Sequence, residues 1–271
     1  MRFIIDQDYH IHTHLSPCSG DPLQTPGQIA ADAREAGLHS LCLTDHYWDE
    51  LVEGGRDFYE QQTYSKLASL LPLPQSDDIR FYFGCETEVD MHCRVGIGKN
   101  RYDAFEFINI PLTHYHFVDL TIAKEDKDSL ELMAKYWVKR FEAVLSSDLP
   151  FYKAGLAHLT DVLTARSGGQ WIDHVAMLDM IPDSELHRLF AGAAEKGIGI
   201  ELNFTTERYT GDQLDRVLRV YRSAKDEGCR FYFGSDRHGH GSYEWLIGQW
   251  NIIIDKLGLE ESDKYHIGTK Y

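Results

Sequence analysis

The sequence is short of several things, and each shortage excludes something. No run of about 18 apolar residues occurs, so no membrane-spanning helix is expected. The opening "MRFIIDQDYH" turns polar too soon to supply the apolar core of a signal peptide, and reads as a first strand. Cysteine is sparse and odd in number: 5 residues, at 18, 42, 85, 93 and 229, with no CxxC. Reduced thiols in a cytoplasmic protein are the simplest expectation. Basic residues are outnumbered, 27 Lys and Arg against 43 Asp and Glu, for a formal net charge of −16. Without a Lys/Arg cluster, a nucleic-acid partner is not expected. No GxGxxG follows the first strand, so the dinucleotide-binding signature is missing.

What is there is a rhythm. Short β-branched or aromatic runs alternate with longer amphipathic stretches over all 271 residues, with no linker or low-complexity segment. "FIIDQDYHIH" is followed by "TPGQIAADAREAG", in which Thr25 is a natural N-cap, Pro26 a first helical residue and Gly37 a stop. "SLCLTDH" precedes a helical stretch expected from Asp57 to Leu71. "IRFYFGCETEV", "FEFINIPLTH", a helix over 128–146, "KAGLAHL", and a helical region reaching Gly197 come next. "IGIELNF", a helix, "RFYFGSDRH" and a closing helix over 243–257 complete the chain. Seven strands separated by helices predict parallel pairing with crossovers in one α/β domain over 1–271. A barrel fits better than two domains, and an open doubly wound sheet is the alternative. "RFYFGCE" at 80–86 nearly repeats as "RFYFGSD" at 230–236. Two strands are thereby expected to deliver an acid to one place.

The strand ends carry the chemistry. In order they hold His10 and His12, Asp45 and His46, Glu86, His114 with His116, His158, Glu201 with Asn203, and Asp236 with His238. In a parallel barrel these ends converge on one face. His, Asp and Glu gathered there are ligands for divalent ions. Residues at i and i+2 of a strand share a side, so His10/His12 and Asp236/His238 are each expected to chelate one site. A lone histidine such as His14, His92 or His116 reads more simply as a surface or hydrogen-bonded residue.

Taken in order, "DYHIHTHLS" (8–16), "LCLTDH" (41–46), "FGCE" (83–86), "GLAH" (155–158) and "FGSDRH" (233–238) resemble the motifs of the PHP (polymerase and histidinol phosphatase) superfamily. The resemblance covers residues 3 to about 240. It implies a distorted (β/α)7 TIM-like barrel and phosphoester hydrolysis at two or three divalent ions, zinc, manganese or iron. It implies that His10, His12 and Asp236 hold the first ion and that Glu86 bridges to a second, held by His114 and His158. It implies a third ion on His46 and His238. Glu86, Asp236 and His238, with metal-bound water, are the implied catalytic set. His114 is preferred to His116 because it ends its strand directly. The family usually places an Asp or His shortly after the HxH. Here the loop reads "LSPCSGD", leaving Cys18 or Asp21 for that role.

A phosphomonoester repels hydroxide, and divalent ions both neutralise its oxygens and bring the pKa of bound water to about 7. Asp45 is a candidate to orient an imidazole. Arg94, Arg101, Arg166, Arg208 and Arg237 are candidate phosphate contacts. The expected partner is a small phosphorylated molecule. An amidohydrolase-type metallohydrolase is the alternative, although no Lys ends a strand to serve as its carboxylated bridge. A PHP-type nuclease is disfavoured by the −16 charge.

Overall fold

The computed structural model describes residues 1–55, 57–74, 76–160 and 174–271. Seven strands stand in sequence order, β1 (Gln7–Ile11), β2 (Ser40–Leu43), β3 (Arg80–Glu86), β4 (Phe107–Pro111), β5 (Ala154–Ala157), β6 (Gly199–Leu202) and β7 (Arg230–Phe233), and every neighbouring pair is parallel. Just past β7, Asp236 N donates to His10 O (2.8 Å) and His12 N donates to Arg237 O (3.0 Å). These bonds stitch the last strand to the first, so the sheet is a nearly closed barrel and not an open doubly wound sheet.

Helices cover the outside. Described in full or in part are α1 (Pro26–Glu35), α2 (Tyr64–Leu67), α3 (Leu130–Ser146), α4 (His174–Asp179), α5 (Asp183–Lys196), α6 (Gln213–Asp226) and α7 (Glu244–Leu257). Thr25 caps α1 by accepting from Gln28 N, and Gly37 follows with φ +74°. The stretch expected as one helix from Asp57 to Leu71 is broken. A 3-10 turn at Asp57–Tyr59 precedes α2, whose new N-cap is Thr63. Tyr59 is buried beside the strand ends, which an uninterrupted helix on the outer surface would not allow. Part of the helical region expected before Gly197, residues 161–173, lies outside the described residues.

Alternation sorts the side chains into two layers. Phe81, Phe83 and Cys85 of β3, and Phe231 and Phe233 of β7, pack outward under the helices. Tyr9, Cys42, Tyr82, Phe107, Tyr232 and Tyr265 fill the barrel base. The repeat therefore has a structural meaning. Tyr82 and Tyr232 plug the base, while Glu86 and Asp236 reach the opposite mouth. The plug is mostly aromatic: Phe107 and Tyr232 meet edge-on at 5.4 Å, Tyr9 and Tyr82 at 5.8 Å. Such pairs contribute about 0.5–1.5 kcal/mol beyond their buried area. Tyr265 comes from the C-terminal segment, anchored by its N–H to Phe231 O (2.8 Å).

Glycine makes this packing possible. A methyl at Gly155 would sit 2.6 Å from the Phe107 ring and would overlap the Tyr232 hydroxyl. Between the pairs Asp8/Leu41 and Ile11/Leu43, two residues of β1, Tyr9 and His10, oppose one of β2, Cys42. This bulge lets Tyr9 point into the base although Ile11 packs outward.

Candidate metal centre

Every strand-end histidine expected to ligate reaches one buried cluster at the C-terminal mouth. Nε2 of His10 lies 3.2 Å from Nε2 of His12 and 3.3 Å from Glu86 Oε1. Nε2 of His12 lies 3.4 Å from Glu86 Oε2 and 3.1 Å from Asp236 Oδ1. Nε2 of His158 is 3.6 Å from both Glu86 Oε1 and Asp236 Oδ2, and Nε2 of His114 is 3.8 Å from Glu86 Oε1. Glu86 thus sits at the centre.

The other ring nitrogen of each histidine is spoken for. Nδ1 of His10 pairs with Glu201 Oε1 (2.5 Å), and Nδ1 of His114 with Glu88 Oε1 (2.7 Å). Nδ1 of His12 meets Ser16 Oγ (2.9 Å), which donates to Asp45 (2.6 Å). Nδ1 of His238 donates to the Asp236 carbonyl (2.7 Å), and Nδ1 of His158 lies 2.8 Å from the Asn203 amide. For His10, His12, His114 and His238 an outer acceptor on Nδ1 fixes the tautomer, leaving the Nε2 lone pair free to bind an ion, whereas His158 Nδ1 faces the Asn203 amide nitrogen, a donor. His46 differs: its Nδ1 faces Glu86 Oε2 at 2.9 Å.

Sequence reasoning missed two of these outer partners. Glu88 stands two residues after Glu86, and Ser16 four after His12; only the first spacing carried a signal. Glu201 was expected at the mouth, yet its two oxygens are used by His10 and by His158 N (2.9 Å). Its contacts make it a brace for His10 and the His158 backbone, although its ligand atoms also group with those of His10 and His158 within 4.8 Å. Asp45 does orient an imidazole, but that of His12 through Ser16, not its neighbour His46.

Asp236 and His238 do not chelate one site. Asp236 adopts φ +52°, and the backbone turns there. Its carboxylate faces His10, His12 and His158, while the His238 ring stacks on His12 at 4.3 Å. His238 joins His12, His46 and Cys18 in a group whose ligand atoms lie within 4.8 Å of one another. Asp21 is elsewhere, bound to His240 Nδ1 (2.5 Å) and N (2.8 Å). His116 lines the mouth beside His114, outside the ligand groups. His14 is exposed and its Nδ1 faces Gln24 O.

The electrostatics ask for cations. Burial would raise the Glu86 and Asp236 carboxyls. Nearby imidazoles outweigh it: His10, His46 and His114 around Glu86, and His10, His12 and His158 around Asp236. Both are held well below the ordinary carboxylate range. Burial, with His46 alongside, lowers His12 to about 3, so it is a neutral donor. Burial opposes charge on His10 too, but Glu201, Glu86 and Asp236 overcome it and push His10 well up. At the rim, burial disfavours the Cys18 thiolate, but His238 and His46 outweigh it and bring Cys18 down to about 7.

Both Glu86 oxygens and His158 Nε2 are buried without a well-aligned hydrogen bond, although imidazole nitrogens, His46 Nδ1 nearest at 2.9 Å, crowd around Glu86. Orphaned buried acceptors are costly unless a cation meets them. The donor set of imidazole and carboxylate suits zinc, manganese or iron, so the residues fit divalent ions.

A cavity of about 330 Å³ opens over the cluster, walled by Phe58, Phe117 and His116. Phe58 comes from the aromatic-rich loop after β2, and its ring meets His46 edge-on at 5.0 Å. Among the described residues, this lining holds no Lys or Arg. Arg94 pairs with Asp90 and Glu53, Arg101 covers Tyr64, and Arg237 covers Tyr243. Arg208 is exposed, and Arg166 lies outside the described residues.

A parallel barrel with a buried His/carboxylate cluster at its C-terminal mouth defines a barrel protein built to hold metal ions. The PHP domain model matches residues 8–205, and the chain belongs to that family. The last motif, 233–238, falls beyond the matched span, and the fold returns it to the cluster. No curated protein matches the chain. Its fold is similar to that of histidinol phosphate phosphatase from Lactococcus lactis subsp. lactis Il1403, solved with zinc, L-histidinol and phosphate. The TM-score is 0.63 at 18% identity, covering 96% of this chain and 98% of that one.

Proposed function

We propose that this protein is a metal-dependent phosphoesterase that hydrolyses a small phosphorylated molecule at two or three divalent ions. The observation that carries the reading is the convergence of imidazole nitrogens on the two buried oxygens of Glu86: Nε2 of His10, His12, His114 and His158, and Nδ1 of His46. Family membership supports the reaction class, and the phosphatase neighbour, with its zinc and phosphate, supports the metal and the substrate class.

His10, His12 and Asp236 would hold a first ion, and Glu86, His114 and His158 a second. Bound divalent ions supply charge neutralisation for phosphoryl oxygens and a nucleophile at neutral pH. The chain's own residues do the rest. Glu86, aimed at both histidine sets, sets the spacing between sites. Asp236 keeps negative charge beside His12 and His158, where the cluster meets the cavity. Glu201, Glu88 and Asp45 hold the imidazoles in the binding tautomer. His238 acts by binding, because its Nδ1 is spent on the Asp236 carbonyl. Phe58 and Phe117 exclude water and offer an apolar wall to the leaving group. With no Lys or Arg in the described lining, the phosphoryl charge is left to the ions.

No described helix is long and apolar enough to cross a membrane. A cytoplasmic setting is supported by five free cysteines. The amidohydrolase alternative loses support, since Lys153, just before β5, is bonded to Tyr102 O and Phe105 O at the far end of the barrel.

The test is release of phosphate from a panel of phosphomonoesters, p-nitrophenyl phosphate included, by protein reconstituted with Zn²⁺ or Mn²⁺. Metal-dependent turnover that Glu86→Gln abolishes is expected. Equal turnover by wild type and Glu86→Gln would refute the reading.

A further inference from the structure

The loop after β1 departs from a plain His/carboxylate design at one place. Cys18 lies at the cavity rim, grouped with His46, His238 and His12. His12 is already committed, since its Nε2 faces His10, Glu86 and Asp236. That leaves Cys18 Sγ, His46 and His238 as a set of three. Resting on the proposed function, we infer that Cys18 is a thiolate ligand of a third ion, with His46 and His238, and makes that position selective for a thiophilic metal such as Zn²⁺.

Three observations support this. The ligand atoms lie within 4.8 Å of one another. A tetrahedral zinc site, with bonds of about 2.0–2.3 Å, needs them roughly 3.5 Å apart, a small contraction for rim side chains. The loop is pinned on both sides of Cys18. Ser16 Oγ donates to Asp45 (2.6 Å), and Ser19 Oγ donates to the carbonyl of His238 itself (2.7 Å). The Cys18 backbone is therefore tied to the same strand ends that carry His46 and His238. Finally, His238 Nδ1 is satisfied by the Asp236 carbonyl, so Nε2 is left for the ion. Asp21, the other candidate in this loop, is held by His240 and does not compete.

Softness gives the consequence. Thiolate favours zinc over the harder manganese and magnesium, whereas the inner Glu86 and Asp236 positions accept either kind. Binding the ion displaces the thiol proton and forms the sulfur–metal bond, with no change of oxidation state.

The experiment loads the full-length protein with Co²⁺, a spectroscopic stand-in for Zn²⁺. It records near-ultraviolet absorption, ion content per chain, and alkylation of Cys18 by iodoacetamide with and without metal. Wild type is expected to show a sulfur-to-cobalt charge-transfer band and protection of Cys18. Cys18→Ser should lose the band and one ion while keeping the inner ions. Cys18→Asp should restore the ion count without the band, and its outer position should prefer Mn²⁺ relative to wild type. Cobalt bound by wild type with no such band and no protection of Cys18 overturns the ligand assignment and leaves the phosphoesterase reading intact. No bound cobalt in any variant overturns both.

Discussion

His10 Nδ1 and Glu201 Oε1 lie 2.5 Å apart, with both side chains wholly buried. The second Glu201 oxygen accepts from His158 N (2.9 Å), so one carboxylate braces two strand ends. An outer partner of this kind raises the basicity of the imidazole and fixes its direction. Glu201→Gln keeps an acceptor for one contact and removes the charge. A loss of about 10–100-fold in affinity for the inner ions is expected. Competition against a fluorescent chelator measures it, and the circular dichroism spectrum should be unchanged.

Gly234 sits where the repeat turns from plug to ligand. A methyl there would overlap Glu201 Oε1 and come within 2.7 Å of His10 Cβ. Overpacking of a tight interior costs about 1–3 kcal/mol. Gly234→Ala is expected to destabilise by that amount in urea titration and to weaken ion binding at the same time. A variant that loses stability but binds ions normally would separate the two.

Removing the ions should leave the buried carboxylates of Glu86 and Asp236 without their counter-charge. Ions present at a hundred times their dissociation constant add about 2.7 kcal/mol to stability. Dialysis against a chelator is expected to lower Tm, and Zn²⁺ should restore it. A chelator-independent Tm would contradict this.

Burial pushes the Cys42 and Cys85 thiols well above their usual range and Cys229 up to about 12. Raised values mean neutral thiols at pH 8, and only the thiolate attacks. Metal-free native protein should therefore expose Cys18 and Cys93 to Ellman's reagent at pH 8, and all five thiols should react in urea. Fast reaction of Cys42 in the native state would show that the barrel base opens.

The sequence carried more of the site than of its support. Seven apolar runs, each ending in His, Asp or Glu, were enough to place His10, His12, His46, Glu86, His114, His158, Asp236 and His238 at one mouth. A strand period and a strand end are local signals. Ser16 was not legible because its role is defined by a loop's fold, and the spacing of Glu88 from Glu86 was a signal without a partner, because His114 lies distant in the chain. The break between Asp57 and Leu71 was hidden for a related reason: Tyr59 leaves the helical pattern to bond Glu88 (2.6 Å), a tertiary demand. Tyr265 likewise plugs a barrel whose other aromatics lie far upstream.

The most direct measurement is the ion content of protein purified without chelator or metal-affinity tag, beside a His10→Ala/His12→Ala variant. Two or three transition-metal ions per chain, fewer in the variant, is the predicted result. No ion in either sample, even after incubation with Zn²⁺ or Mn²⁺, would contradict the metal centre and the phosphoesterase built on it.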